Sequence, residues 1–168
     1  DRLLLLSTVR YDVAYLEPVN MNEVVRDIER QMSGHIEQVN ASVDIFGQAP
    51  PVLGYEPWLK GVWVNLLSNA LKYGGASPAI SLGYTTKDKH VRFWVQDEGE
   101  GMVPGVAASL FRPIQRVKQH GGIKGHGLGL SIVKRAVEKM GGEVFVESKL
   151  GAGSRFGFTL TLADEETD

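Results

Sequence analysis

Two asparagines stand four residues apart in an apolar helical pattern, "GVWVNLLSNALKYGG" at residues 61–75, and they raise the first question of chemistry. At about 100° per residue, Asn65, Asn69, Lys72 and Tyr73 fall within one narrow arc, while Trp63, Leu66, Leu67, Ala70 and Leu71 fill the opposite side. Asparagine is a mediocre helix former, more at home in caps and turns, so paired amides on a helix ask for a reason. Polar helix faces ordinarily point to water, and alone this cluster decides little. In "FWVQDEGEGM", residues 93–102, an apolar strand delivers Asp97 into a loop with Gly99 and Gly101. A simple turn accounts for that; so does a carboxylate at a buried strand end that accepts hydrogen bonds from a ligand amine, with glycines letting backbone approach the ligand. In "GIKGHGLGLSIVKRAVEKMGG", residues 122–142, Gly125, Gly127 and Gly129 sit at the mouth of a helix. Helix starts carry unpaired N–H groups and the positive dipole end, so phosphate oxygens can sit there if no Cβ intervenes. A plain helix-start turn is the alternative.

Two phosphate motifs can be tested against those glycines. The P-loop pattern G-x-x-x-x-G-K-[ST] occurs nowhere in the chain. The dinucleotide fingerprint needs a strand directly before its glycines, and "RVKQHGGIK" is polar and reads as a loop.

The elements that must position these residues follow from pattern. Pro18 breaks the opening segment, and "NMNE" at 20–23 is an N-cap with glutamate three residues on, opening a helix to about Val39 with Val25, Ile28, Met32 and Ile36 as its apolar stripe. "ASVDIFGQ" alternates as a strand, and "APPVLGYEP" punctuates before a second helix over about 57–73. "AISLGYTT" and "HVRFWVQDEG" form a hairpin through "KDK". The third long helix, about 127–141, is stopped by Gly141-Gly142. "EVFVES" and "SRFGFTLTL" close the fold as a strand pair turned by Gly151–Gly153. Three helices and about five strands, the late strands joined by short turns, predict an α+β two-layer sandwich with a mixed or antiparallel sheet and helices on one face.

Composition bounds the function. A chain of 168 residues, 43% hydrophobic, can bury one core of ordinary domain size. Twenty acidic against eighteen basic residues leave a net charge of −2, which offers no field to recruit nucleic acid. No apolar run approaches the roughly 20 residues that span a bilayer, and "LLLL" is too short and poorly flanked for a secretory signal, so this piece reads as soluble. The lack of cysteine excludes disulfides and thiolate zinc sites and agrees with a reducing, cytoplasmic compartment.

The order N-x-x-x-N-A-x-K-Y, D-x-G-x-G, F-x-P-x-x-R, G-x-G-L-G-L resembles the catalytic and ATP-binding domain of two-component sensor histidine kinases, in the superfamily shared with gyrase and heat-shock chaperones. The match runs over about Pro18 to Leu162. It implies a Bergerat-type ATP-binding fold, a mixed five-stranded sheet with three helices on one face. By the same resemblance residues 1–17 are the end of an upstream dimerisation and phosphoacceptor hairpin, 18–162 the catalytic ATP-binding domain and 163–168 an acidic, disordered tail.

The resemblance also implies roles. Asn69 holds Mg²⁺ bound to the phosphates of ATP, as suits a neutral oxygen on a hard cation, and Asn65 lines the same site. Lys72 matches a phosphate-contacting position and Tyr73 one beside the nucleoside. Asp97 matches the carboxylate that reads the adenine amino group, with Gly99 and Gly101 shaping that pocket. In "FRPIQRV", Arg116 meets the terminal phosphate and Phe111 anchors the segment, although Ile114 replaces the family's second phenylalanine. Residues 117–124 become a mobile lid, and Gly125, His126, Gly127, Leu128 and Gly129 offer backbone to the phosphates.

Reaction type turns on Asn65. Hydrolytic members of the superfamily carry there a glutamate that activates water; an amide cannot take that proton, whereas a neutral imidazole near pH 7 is already a competent nucleophile. The family's acceptor histidine precedes an acidic residue and, a few positions on, a proline. His35, His90, His120 and His126 lack that context, so the acceptor is expected upstream of Asp1. Implied partners are the upstream histidine-bearing domain and a response-regulator receiver domain. The full-length protein is expected to be a homodimer through that hairpin and this fragment a monomer; whether the whole protein is membrane-anchored stays open. Two other readings share the nucleotide site: an anti-sigma-factor-type serine kinase and a nucleotide-binding regulatory module without kinase activity.

Overall fold

Strand β1 (Glu17–Val19) leads into helix α1 (Met21–Gln31), whose start is set by Asn20: its side chain accepts the Asn22 N–H at 3.1 Å. The computed structural model describes residues 15–111 and 129–164. Val25, Ile28 and Met32 are buried as the apolar stripe requires, but the helix does not run unbroken to Val39. The backbone leaves helical geometry at Met32 (φ −98°, ψ 6°), and a separate short helix α2 (Ser33–Gln38) follows, opened by the weak helix formers Ser33 and Gly34.

Strand β2 (Ser42–Ile45) comes next, then β3 (Val52–Gly54), which pairs antiparallel with β1 through Pro18 and Leu53. This two-stranded ribbon forms where the sequence suggests only punctuation. Helix α3 (Glu56–Tyr73) matches its expected span, with Pro57 in the first turn where no N–H is needed, and ends as Gly74 N–H reaches Ala70 O at 2.9 Å. Strands β4 (Ala79–Lys87) and β5 (His90–Asp97) make the expected hairpin, with Asp88 at φ 55° in its turn.

A short helix α4 (Pro104–Ser109), unmarked in the sequence pattern, precedes helix α5 (Gly129–Lys139), which closes as Gly142 N–H returns to Val137 O at 2.9 Å. Strands β6 (Val144–Ser148) and β7 (Ser154–Thr161) finish the sheet, ordered β2-β4-β5-β7-β6. The β2–β4 pair is parallel and the rest antiparallel, so the sheet is mixed and five-stranded and the α+β expectation holds.

Period-two alternation decides what each face carries. On β5, Val91, Phe93 and Val95 point into the core, and β7 sends Phe156, Phe158 and Leu160 to meet them. Helices α1, α3 and α5 cover these side chains: Trp63 stands edge-on to Phe158 with ring centres 5.3 Å apart, and its indole N–H reaches Met21 Sδ at 3.0 Å. The alternate residues line the outer face, where Arg155 lies 4.2 Å over the half-buried Trp94 ring and Arg92 lies 3.7 Å over Phe145. No helix among the described residues is long and apolar enough to cross a membrane.

Candidate active site

The alternation that buries Val91, Phe93 and Val95 also carries the Asp97 side chain to the helix side of the sheet. Only 4% of Asp97 is exposed. Its Oδ1 accepts the Gly99 N–H at 2.9 Å, and the backbone N–H of Ser154, its register partner on β7, bonds it too. Burial pushes this carboxyl above the usual carboxylate range, while the two amides pull the other way.

The loop after β5 abuts the end of α3. A Cβ on Gly99 would stand 2.7 Å from Tyr73 O and 3.2 Å from Gly74 Cα, so only a bare backbone lets the loop close against the helix. Asp97 and Gly99 are thereby brought beside the last turn of α3, which ends on Tyr73. Tyr73 is exposed, with the Lys72 ammonium 5.2 Å from its ring centre.

One turn earlier the two asparagines part company. Asn69 is half-buried, but Asn65 is only 4% exposed. Its Nδ2 donates to Gly61 O at 2.7 Å, and its Oδ1 faces α5, where a Cβ on Gly129 would stand 2.9 Å away. The solvated-face reading is therefore wrong for Asn65: this amide lies in the seam between α3 and α5, and Gly129 permits that approach. Phe111 is buried too, its ring edge-on to Phe156 at 6.4 Å, so the chain enters the following segment from a point packed in the core. Arg116, Gly125, His126, Gly127 and Leu128, with Ile114 and the 117–124 segment, lie outside the described residues.

A cleft of about 570 Å³ opens between α2 and the last turns of α3, lined by His35, Ser68, Asn69, Lys72 and the Gly75–Ser77 loop. It shares Asn69 and Lys72 with the expected site but includes none of Asp97, Gly99 and Gly101, so it is a separate flank of α3. Among the described residues no three histidine, aspartate or glutamate side chains stand together as a metal site.

Sequence reasoning missed the serines behind Asp97. Ser154 is buried, and its hydroxyl lies 2.8 Å from that of Ser148. The signal lay in register: a hairpin ending on Gly-Ala-Gly-Ser beside a strand ending on Asp places Ser154 opposite Asp97.

Comparison with known proteins bears on the family and the fold. The signature of the family described as Histidine kinase-, DNA gyrase B-, and HSP90-like ATPase matches residues 54–164. The chain belongs to this family. The ATPase domain is 34% identical over 166 residues to Cyanobacterial phytochrome B of Nostoc sp. (strain PCC 7120), covering 95% of this chain and 22% of that protein. It thus spans about a fifth of that relative's length. Among solved structures it resembles full-length ShkA in complex with AMPPNP, with a TM-score of 0.80 and 27% identity over 98% of this chain and 35% of that one. The catalytic domain of histidine kinase ThkA has the same fold, with a TM-score of 0.75 and 22% identity over 89% of this chain and 97% of that one.

Proposed function

We propose that this ATPase-family domain is the catalytic half of a sensor histidine kinase, binding Mg-ATP and passing the γ-phosphoryl group to a histidine on an upstream helical domain, for onward transfer to an aspartate of a response regulator. The observation that carries this reading is the buried Asp97 carboxyl, held by Gly99 and Ser154 amides against the bare end of α3. Such a carboxylate, with one oxygen already oriented, is suited to accept the adenine amino group. The AMPPNP complex of ShkA supports nucleotide binding at a fold of this kind.

In this reading Tyr73 flanks the nucleoside, and Lys72 and Arg116 meet phosphate oxygens as charge-assisted donors. Gly125, His126, Gly127, Leu128 and Gly129 offer backbone N–H groups at the mouth of α5. Asn69 would hold Mg²⁺, which when bound neutralises phosphate charge and orients the transferring group. Asn65, a neutral amide in the α3–α5 seam, supplies no base for water. The chain's contribution is positioning and charge neutralisation, with the nucleophile brought by its partner. The domain is cytoplasmic in this reading and dimerises only through the upstream hairpin.

Titration calorimetry with ADP and AMPPNP, with and without Mg²⁺, tests the assignment. Micromolar-range binding that Asp97→Ala abolishes is the expected result, followed by phosphotransfer once a histidine-bearing helical domain is supplied. Unchanged binding in Asp97→Ala would remove the adenine assignment.

A further inference from the structure

Between Asp97 and Pro104 the chain forms neither helix nor strand, so the loop carrying Gly99 and Gly101 must take its shape from what it touches. Besides the end of α3 at Gly99, it touches the turn between β6 and β7. Gly151 N–H reaches Glu100 O at 2.6 Å. A Cβ on Gly101 (φ 70°) would stand 2.0 Å from Lys149 O, and one on Gly153 (φ 77°) 2.1 Å from Asp97 O. The two backbones are therefore in direct contact at both ends of the loop, with no side chain between them.

One side chain ties them together. Ser148 Oγ lies 2.7 Å from Met102 N, 3.1 Å from Gly153 O and 2.8 Å from Ser154 Oγ. A hydroxyl has one proton and two lone pairs. Ser148 uses all three when it accepts from the Met102 N–H and the Ser154 hydroxyl and donates to Gly153 O. No spare valence is left for solvent or ligand, so the group serves the loop and not the substrate.

Building on the nucleotide reading above, we propose that Ser148 is a positioning residue: by locking the β6–β7 turn to the 98–103 loop it sets the placement of Asp97 and Gly99, and with it the affinity for the adenine end of the nucleotide. The phosphate end, built from α3 and α5, does not depend on this clasp. Removing the Ser148 hydroxyl leaves the Met102 N–H, Gly153 O and the Ser154 hydroxyl without their shared partner.

The test compares this chain with Ser148→Ala and Ser148→Thr in three measurements: affinity for ADP, affinity for inorganic tripolyphosphate, and amide hydrogen exchange. Ser148→Ala should bind ADP about tenfold more weakly, the cost of roughly one net hydrogen bond, and bind tripolyphosphate as the parent does. Exchange should quicken at Gly99 to Met102 and at Gly151 but not at Phe93 or Phe158 in the sheet centre. Ser148→Thr, which keeps the hydroxyl, should restore both. Unchanged ADP affinity in Ser148→Ala overturns the proposal, and so does equal weakening of both probes, which would mean general loosening. A parent chain that binds neither probe would instead sink the nucleotide reading. The exchange comparison then decides by itself, and unchanged loop exchange overturns the clasp.

Discussion

At Asp97 two demands oppose one another. A ligand amine is best met by a charged carboxylate, yet the side chain is only 4% exposed and burial disfavours its charge. An aspartate whose folded pKa lies above its unfolded value contributes stability that is complete below the unfolded pKa and lost as pH rises through the folded one. Over that window the unfolded chain has released a proton that the folded chain keeps, so near neutrality the fold carries the full cost of burying the charge. Asp97→Asn should therefore melt higher than the parent at pH 7, with the gap narrowing as pH falls toward 4, while ADP binding is lost. Thermal melts from pH 4 to 8 would read this, and a gap of constant size or reversed sign would argue against a desolvated charge. Types and spacing made Asp97 legible from sequence, because period two on β5 carries it to the buried face. Ser154 becomes legible only once β5 and β7 are known to be neighbours, and Ser148 not at all, since a serine at a strand end looks the same whether it meets solvent or a second loop.

Helix α3 is the element on which the site is built, with Asn65 turned into its seam with α5 and Lys72 and Tyr73 on its exposed last turn. A Cβ on Gly129 would stand 2.9 Å from Asn65 Oδ1, so a methyl group there would force the amide to shift. Gly129→Ala should cost about 1 kcal/mol by crowding, whereas on an Asn65→Ala background it should be neutral or slightly stabilising through helix propensity. Denaturant unfolding of the four proteins closes a double-mutant cycle, and additive effects would mean the contact is not energetically real. The long helices and the five-stranded sheet could be read from periodicity because each has an apolar face that repeats. The β1–β3 ribbon could not: three residues are too few to show alternation, and the partners are more than thirty residues apart. The break at Met32 was marked only by Ser33-Gly34, a weak signal inside an otherwise continuous stripe.

At the scale of the molecule, the apolar surface left in water bears on association. Among the described residues the exposed large apolar side chains are Tyr15, Leu16, Tyr73, Val103 and Leu150. Sedimentation at micromolar concentration should show a monomer, and a tight dimer would contradict the view that association belongs to the upstream hairpin. The layered architecture also gives the protein an optical division of labour. Of its three tryptophans, Trp58 and Trp63 are sealed in the core, while Trp94 lies half-buried on the outer sheet face beneath Arg155. A water-soluble quencher can collide with Trp94 alone, so the quenchable part of the emission reports on the outer face without any attached label. A partner seated there would shield that light, and a nucleotide bound on the helix side would leave it as it was.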